Sequence, residues 1–526
     1  MMRKTGENIQ TAEKPSRWIL SPRAMLTLAG ALVVILGLVI GLNVGGLREE
    51  LLWRISPPRI ETLAFLPLEN LSRDPEQEYI ANGITNRLIY HLQEYGTFRV
   101  IAGTSILRYR KAPKPLPEIA RELNVAGIIQ GGVLRSGDRV RINVNLIHAP
   151  TDRRLWGQTY ERDLRDIVNL QAEVAGDIAL RMGAKLTPQQ QTLITTPRPV
   201  NPQAFEAAQR GMSAMADPAK AETYLKQAIQ LDSEFAFPYD VLAMIFYMRN
   251  MFPTLMPRDT YPAAKEAAQK AVRLDANAGQ PHRILASSAL EYDWDFVEAE
   301  KKFKHALDTA PSGPNAHHYY AHFLLSMGRM EEAKTESRRA MELDPLNPTL
   351  FACVSWHDIA ERNYEEAEKR SLQALSLGAP DQLARLTLGW SYALRGRHNE
   401  AIAEFQKAVV GWKGAVFPTA VLGHGYGAAG KEDAAREVLN GLLARSKTEY
   451  VSPYEIAMIY AGLGDRDRAF EWLEKAYEER ATLLVYFRMD PRIWGLRSDA
   501  RFQDLLRRMN FPQDRLEKGG QSPVSP

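Results

Sequence analysis

The chain reads as a mainly α protein with one N-terminal transmembrane helix, a small α/β domain and then a helical solenoid. Three observations predict this: an uncharged apolar run near the N-terminus, a strictly alternating strand pattern after residue 138, and small residues recurring every 34 positions in the C-terminal half. At 526 residues, roughly three domains, or one domain plus a repeat array, are expected.

From Ala24 to Leu47 there are 24 residues without a charge, bounded by Arg23 and Arg48. At about 1.5 Å per residue this helix crosses the roughly 30 Å hydrocarbon core. Arg3, Lys4, Lys14, Arg17 and Arg23 precede it, whereas Arg48, Arg54 and Arg59 after it are offset by Glu49, Glu50 and Glu61. The positive-inside rule then makes residues 1–23 a cytoplasmic tail and places the rest across a bacterial inner membrane, in the periplasm. The run ends in Asn43-Val44-Gly45-Gly46 without a small-residue cleavage site, so the anchor is expected to stay uncleaved. Gly37, Gly41 and Gly45 stack on one helix face, which suits close helix–helix approach and a homodimer. Glycine is also common in such helices for other reasons.

Residues 59–186 read as the α/β domain. Ile60 to Leu66 is a strand, Glu78 to Glu94 an amphipathic helix, Phe98 to Ala102 a strand and Leu116 to Leu123 a helix. Gly127 to Leu134, Arg139 to His148 and Arg153 to Tyr160 follow as strands, with Ser136-Gly137-Asp138 as a hairpin turn. Val140, Ile142, Val144 and Leu146 alternate with polar residues, as a half-buried antiparallel strand requires. A closing helix is expected from Asp166 to Met182, with Ile167, Leu170, Val174, Ile178 and Leu180 on its apolar side.

Leu66-Pro67-Leu68-Glu69-Asn70-Leu71-Ser72, Asp74-Pro75-Glu76-Gln77-Glu78-Tyr79 and Gly131-Gly132-Val133-Leu134-Arg135-Ser136-Gly137 carry a resemblance to the domain shared by FlgO-like and TolB-amino-terminal-like proteins. Asn82-Gly83-Ile84-Thr85, Leu155-Trp156 and Tyr160-Glu161-Arg162 extend it. The resemblance implies a noncatalytic α/β module, in relatives often fused to a winged-helix or cyclase output domain and followed by helical repeats. With only 23 residues before the span, no such output domain is expected here.

Residues 187–202 have the Pro and Gln content of a linker and no helical periodicity. The repeat array follows, from 203 to 480. Ala299, Ala333, Ala367, Ala401, Ala435 and Ala469 recur at intervals of 34, and Ala306, Ala340, Ala374, Ala408, Leu442 and Ala476 repeat seven residues later. Ser287, Ala321, Ser355, Gly389, Gly423 and Ala457 form a uniformly small column, while Gly328, Gly396, Gly430 and Gly464 mark a turn that Arg362 breaks. The period and its small residues resemble the tetratricopeptide repeat, two close-packed helices per unit, in about eight copies. Residues 481–512 look like the capping region such arrays need, and 513–526 like a disordered tail.

By that resemblance, the first helices of the units line a concave groove. Its ninth column reads Ser288, His322, Trp356, Trp390, His424 and Met458, and its fifth includes His318, Leu386 and Tyr454. These predict a protein or peptide partner held by aromatic anchors, though the same aromatics also suit packing between helices or against the protein's own N-terminal domain. His318 and His322 lie four apart, within reach of one metal ion, yet no third ligand follows at a specific spacing. They are read as solvated groove histidines, and no metal or cofactor is expected. Cys353 is the only cysteine, which excludes intrachain disulfides, and it reads as a small buried hydrophobe. Lys+Arg 66 against Asp+Glu 63 leaves a net charge of +3, too balanced for a nucleic-acid surface. Gly423-His424-Gly425-Tyr426-Gly427 falls inside a repeat helix and is no phosphate loop. The expectation is a noncatalytic membrane-anchored scaffold, with a receptor that signals to a cytoplasmic partner as the alternative.

Overall fold

The computed structural model describes residues 60–512, apart from 73, 97, 112, 197, 252–254 and 379–381. The expected span at 24–47, its face of Gly37, Gly41 and Gly45, and both expected tails lie outside the described residues. Among the described residues no helix is long and apolar enough to cross a membrane.

The α/β domain is built from β1 (Thr62–Phe65), β2 (Glu69–Asn70), α1 (Glu78–Tyr95), β3 (Arg99–Val100), α2 (Leu116–Leu123), β4 (Gly127–Ser136), β5 (Arg139–His148), β6 (Arg153–Asp163) and α3 (Ile167–Arg181). The sheet order is β3-β1-β4-β5-β6, with β2 paired to β4. β1 runs parallel to both β3 and β4, while β4, β5 and β6 form an antiparallel meander. Gly137 makes the β4–β5 turn at φ +58°, a conformation that suits a residue without Cβ. Val140, Ile142, Val144 and Leu146 are all buried, as their alternation requires. α1 and α3 pack together, and Leu88, Leu92, Leu170 and Val174 join Leu63, Phe65 and Ile128 in one core.

That core does not stop at the domain boundary. It continues through Val200 into Ala204, Phe205 and Phe235 of the repeats. The stretch expected to be a non-helical linker carries α4 (Pro188–Thr195), started by a capping box between Thr187 and Gln190. Gln190 Nε2 also donates to the Glu94 carbonyl at 3.1 Å, tying α4 to α1.

Eight helix pairs follow: α5 (Pro202–Ser213) and α6 (Pro218–Leu231), α7 (Ala236–Met251) and α8 (Pro257–Leu274), α9 (Gly279–Ser288) and α10 (Phe296–Thr309), α11 (Pro314–Ser326) and α12 (Met330–Leu343), α13 (Pro348–Ala360) and α14 (Tyr364–Ser376), α15 (Gln382–Leu394) and α16 (His398–Gly411), α17 (Val416–Ala428) and α18 (Glu432–Arg445), α19 (Pro453–Gly462) and α20 (Arg466–Glu478). The recurring alanines are buried at the seams between paired helices. Space there is tight: a Cβ on Gly389 would fall 2.3 Å from the Phe405 ring. The turn glycines Gly328, Gly396, Gly430 and Gly464 take φ from +72° to +76°. Arg362 adopts φ +63° at the equivalent turn, a left-handed geometry that costs a side chain about 1–2 kcal/mol.

After α20, two 3-10 stretches, Thr482–Tyr486 and Pro491–Leu496, lead to α21 (Ala500–Arg508). This segment turns back across the array. Arg480 Nη1 donates to the Tyr292 and Asp293 carbonyls at 2.7 and 3.2 Å, and the Phe296 and Phe511 rings meet at 4.7 Å.

Candidate functional site

The first helices of the repeats present one continuous inner face, and the structure gives most of it an occupant from the same chain. Trp356 meets Tyr486 edge to face at 5.7 Å. Trp390 lies beneath the Arg492 guanidinium at 5.8 Å, and His424 Nε2 contacts the Arg492 carbonyl at 3.1 Å. Tyr454 donates its hydroxyl proton to Asp490 at 2.8 Å, while Leu386 and Met458 are fully buried. His318, His322 and Trp356 sit at the centre of the face, largely covered rather than solvated as expected. The face that reads as an open groove in sequence is therefore filled by residues 481–497. The physical reason is the one that demands caps: an apolar solenoid face is costly to leave in water, and a tethered segment covers it without paying association entropy.

Two buried polar hubs lock this segment down. Glu291 is fully buried and accepts from the hydroxyls of Tyr247, Tyr261 and Tyr486 at 3.0, 2.8 and 2.9 Å. It is aimed inward by a single π turn, Ala289–Asp293, that extends α9 and ends at Trp294 with φ +56°. Burial pushes its carboxyl up to about 7, against the pull of the three hydroxyls. In the second hub Arg492 forks onto Asp490 (Nε–Oδ1 3.1 Å, Nη2–Oδ2 2.7 Å) and reaches Glu455 Oε2 at 3.0 Å. The guanidinium beside Asp490 outweighs burial and holds that carboxyl below its ordinary value, whereas burial dominates at Glu455 and raises it.

The other end of the inner face meets the α/β domain. Ser105 donates to Asp344 and accepts from the Leu346 amide at 2.9 Å, the Ala102 amide donates to the Leu343 carbonyl at 2.9 Å, and Ser312 donates to the Phe98 carbonyl at 2.8 Å. Between α1 and the inner ends of α7, α9 and α11 a cavity of about 360 Å³ remains. Arg87 and Tyr90 enter it from α1, Asp240 and Met244 from α7, and Gln280 and Arg283 from α9. Arg87 pairs with Asp275 at 3.3 Å, and the Tyr90 hydroxyl accepts from the Gln280 amide at 3.0 Å. Arg283 stacks on Tyr319 and Tyr247, at 4.3 and 5.1 Å, yet its Nε and Nη1 have no hydrogen-bond partner among the described residues. Asp240 Oδ1 is equally unpartnered, and burial pushes its carboxyl up to about 6, with Arg87 opposing. Both side chains are over nine-tenths buried. Arg283 Nε and Nη1 and Asp240 Oδ1, buried and without a hydrogen-bond partner among the described residues, face one cavity and make a seat for a small group that carries both an acceptor and a donor.

Neither Arg283 nor Asp240 stands in the columns singled out from sequence. Arg283 immediately precedes Ile284 of the fifth column, and nothing in its sequence neighbourhood marks it, since its tyrosine partners lie 36 residues away on either side. Arg87 and Tyr90 belong to another domain, and no spacing in the repeats points to them.

Residues 315–345 and 454–482, which are α11–α12 and α19–α20, match the family model described as Tetratricopeptide repeat. The chain thus carries tetratricopeptide repeats, a class of protein-binding scaffold that is generally nonenzymatic. A Rhizobium meliloti (strain 1021) protein named "Putative adenylate cyclase 3" is 30% identical over 240 residues, covering 44% of this chain and 41% of that protein. The chain thus spans about two fifths of the length of the curated relative it matches. Among solved structures, Pseudomonas aeruginosa PilF shares 16% identity over 40% of this chain and 93% of its own, with a TM-score of 0.31. A Parabacteroides merdae tetratricopeptide repeat protein shares 16% over 52% and 98%, with a TM-score of 0.34.

Proposed function

We propose that this chain is a noncatalytic scaffold, anchored in a bacterial inner membrane by residues 24–47 with its bulk in the periplasm, that captures a peptide segment of a protein partner. The observation that carries the binding assignment is the cavity between α1 and the first repeats, where Arg283 Nε and Nη1 and Asp240 Oδ1 lie buried without a hydrogen-bond partner among the described residues. A peptide end or a backbone amide pair supplies the carbonyl or carboxylate for Arg283 and the N–H for Asp240. The apolar run and its charge asymmetry support the anchor, and the resemblance of residues 59–186 to FlgO-like and TolB-amino-terminal-like domains supports a noncatalytic module. The cyclase in the relative's name stays with that protein, since the match covers well under half of it. A receptor that relays occupancy of the cavity to a cytoplasmic partner is the second reading, favoured by the aligned Gly37, Gly41 and Gly45.

The test is a photo-crosslinking residue at Met244 in the full chain, with crosslinked partners recovered from membranes. Protein adducts should form and disappear in Arg283→Met and Asp240→Asn. Adducts that persist unchanged in both variants would refute the cavity as the seat.

A further inference from the structure

The centre of the inner face holds a second cluster that the peptide-binding reading does not use. His318 and His322 are one turn apart on α11, and Cys353 and His357 are one turn apart on α13, each pair offset from the other by 35 residues. The repeat therefore sets a His-x-x-x-His face against a Cys-x-x-x-His face. Nε2 of His318 and Nε2 of His322 are 3.3 Å apart, and ligand atoms of His318, His322 and Cys353 all lie within 4.8 Å of one another.

We propose that His318, His322 and Cys353 form a site for one thiophilic closed-shell metal ion, zinc(II) or copper(I). Two imidazole nitrogens and a thiolate suit these ions and disfavour magnesium or calcium. In a tetrahedron with Zn–N bonds of about 2.0–2.1 Å, the nitrogens are separated by about 3.3 Å, the spacing the two histidines already have. The sulfur-to-nitrogen edge is about 3.6 Å, so a shift of about 1 Å by the Cys353 side chain completes three ligands.

The surroundings fit a ligand set. His357 Nε2 faces His322 Nδ1 at 3.4 Å and His357 Nδ1 contacts Ser337 Oγ at 2.9 Å. One tautomer chain satisfies both contacts: Ser337 accepts from His357, His357 accepts from His322, and the His322 Nε2 lone pair is left facing the site, as outer-shell partners of metal-bound histidines do. In the metal-free state His318 Nε2–H donates to His322 Nε2, and metal binding moves that proton to His318 Nδ1, which has no partner among the described residues. Trp356 and Tyr486 wall the cluster against water, with ring centroids 5.7 and 5.9 Å from His322.

The experiment is titration of the reduced, metal-free full chain with cobalt(II) as a zinc probe and, separately, with copper(I) against a chromophoric chelator. Either ion should bind at one equivalent, cobalt with a near-ultraviolet thiolate-to-metal charge-transfer band, and Cys353→Ser should abolish the band. His322→Gln should weaken binding by at least tenfold while its circular dichroism stays that of the parent. As a second measurement, bound metal should protect Cys353 from alkylation in the unmutated chain. Absence of binding by both ions, a band that survives Cys353→Ser, or alkylation unaffected by metal would overturn the site and leave a neutral histidine pair joined by one hydrogen bond. Preference for one ion in the two titrations identifies which metal the site takes.

Discussion

Replacing Arg492 by Met should release the C-terminal segment from the inner face of the repeats. The arginine side chain is 2% exposed and is the cation shared by Asp490 and Glu455, themselves 9% and 1% exposed. Methionine keeps much of the volume over Trp390 but leaves two buried carboxyls without a counter-charge. Removing one partner from such a cluster costs about 3–5 kcal/mol. A ceiling follows independently from protonation, because a buried carboxylate that cannot find a cation takes up a proton instead. For Asp490, whose ordinary value is 3.8, that costs about 4 kcal/mol at pH 7 and about 2 kcal/mol at pH 5.5. The sign is set by the variant's folded state: without the guanidinium both folded values rise, so the penalty is present at high pH and fades as pH falls toward them. The assay is hydrogen exchange of residues 481–496 in parent and variant at both pH values, with urea unfolding by tryptophan fluorescence as a cross-check. A loss of protection worth less than about 1 kcal/mol at pH 7 would refute the claim that this ion cluster holds the segment, and so would a loss that does not shrink at pH 5.5.

Two further outcomes are expected. Glu291 has a folded value near 7 against an ordinary 4.5, so its contribution is fully present below pH 4.5 and is lost as pH rises through 7. Relative to Glu291→Gln, the parent should therefore lose about 3 kcal/mol of stability between pH 4.5 and 8, read from paired urea titrations; parallel pH profiles would contradict it. Gly389→Ala should lower stability by about 1–3 kcal/mol because its Cβ meets Phe405. The control Gly441→Ala, in α18 with nothing within 4 Å of the added carbon, should raise stability by up to about 1 kcal/mol. Equal melting shifts for the two would mean the small-residue column is not set by packing.

The parts legible in the sequence are those whose cause is local and repeated. A seam that tolerates only small side chains writes itself every 34 residues, and a sheet with one buried face writes itself every second residue from Val140 to Leu146. What fills the inner face is set by pairings with no period. Tyr247, Glu291 and Tyr486 converge from positions 44 and 195 residues apart, and Tyr90 reaches Gln280 across 190. His318 and His322 were visible as a pair, but their third ligand needed the next repeat to swing Cys353 alongside. Trp356 and Trp390 read in sequence as anchors for a partner; their covering by Tyr486 and Arg492 has no signature in spacing.

A solenoid whose units touch only their neighbours can grow one unit at a time and stretch like a spring. This one has its last stretch of chain bolted to its second and third units through Tyr261, Glu291 and the Tyr292 carbonyl. The early units accordingly cannot finish while the ribosome is still making the late ones. The loop that must close spans more than two hundred residues, a separation of the kind that slows folding, and loss of the chain from residue 481 onward would uncover Trp356 and Trp390 far upstream. An array closed in this way behaves mechanically as a clasped ring.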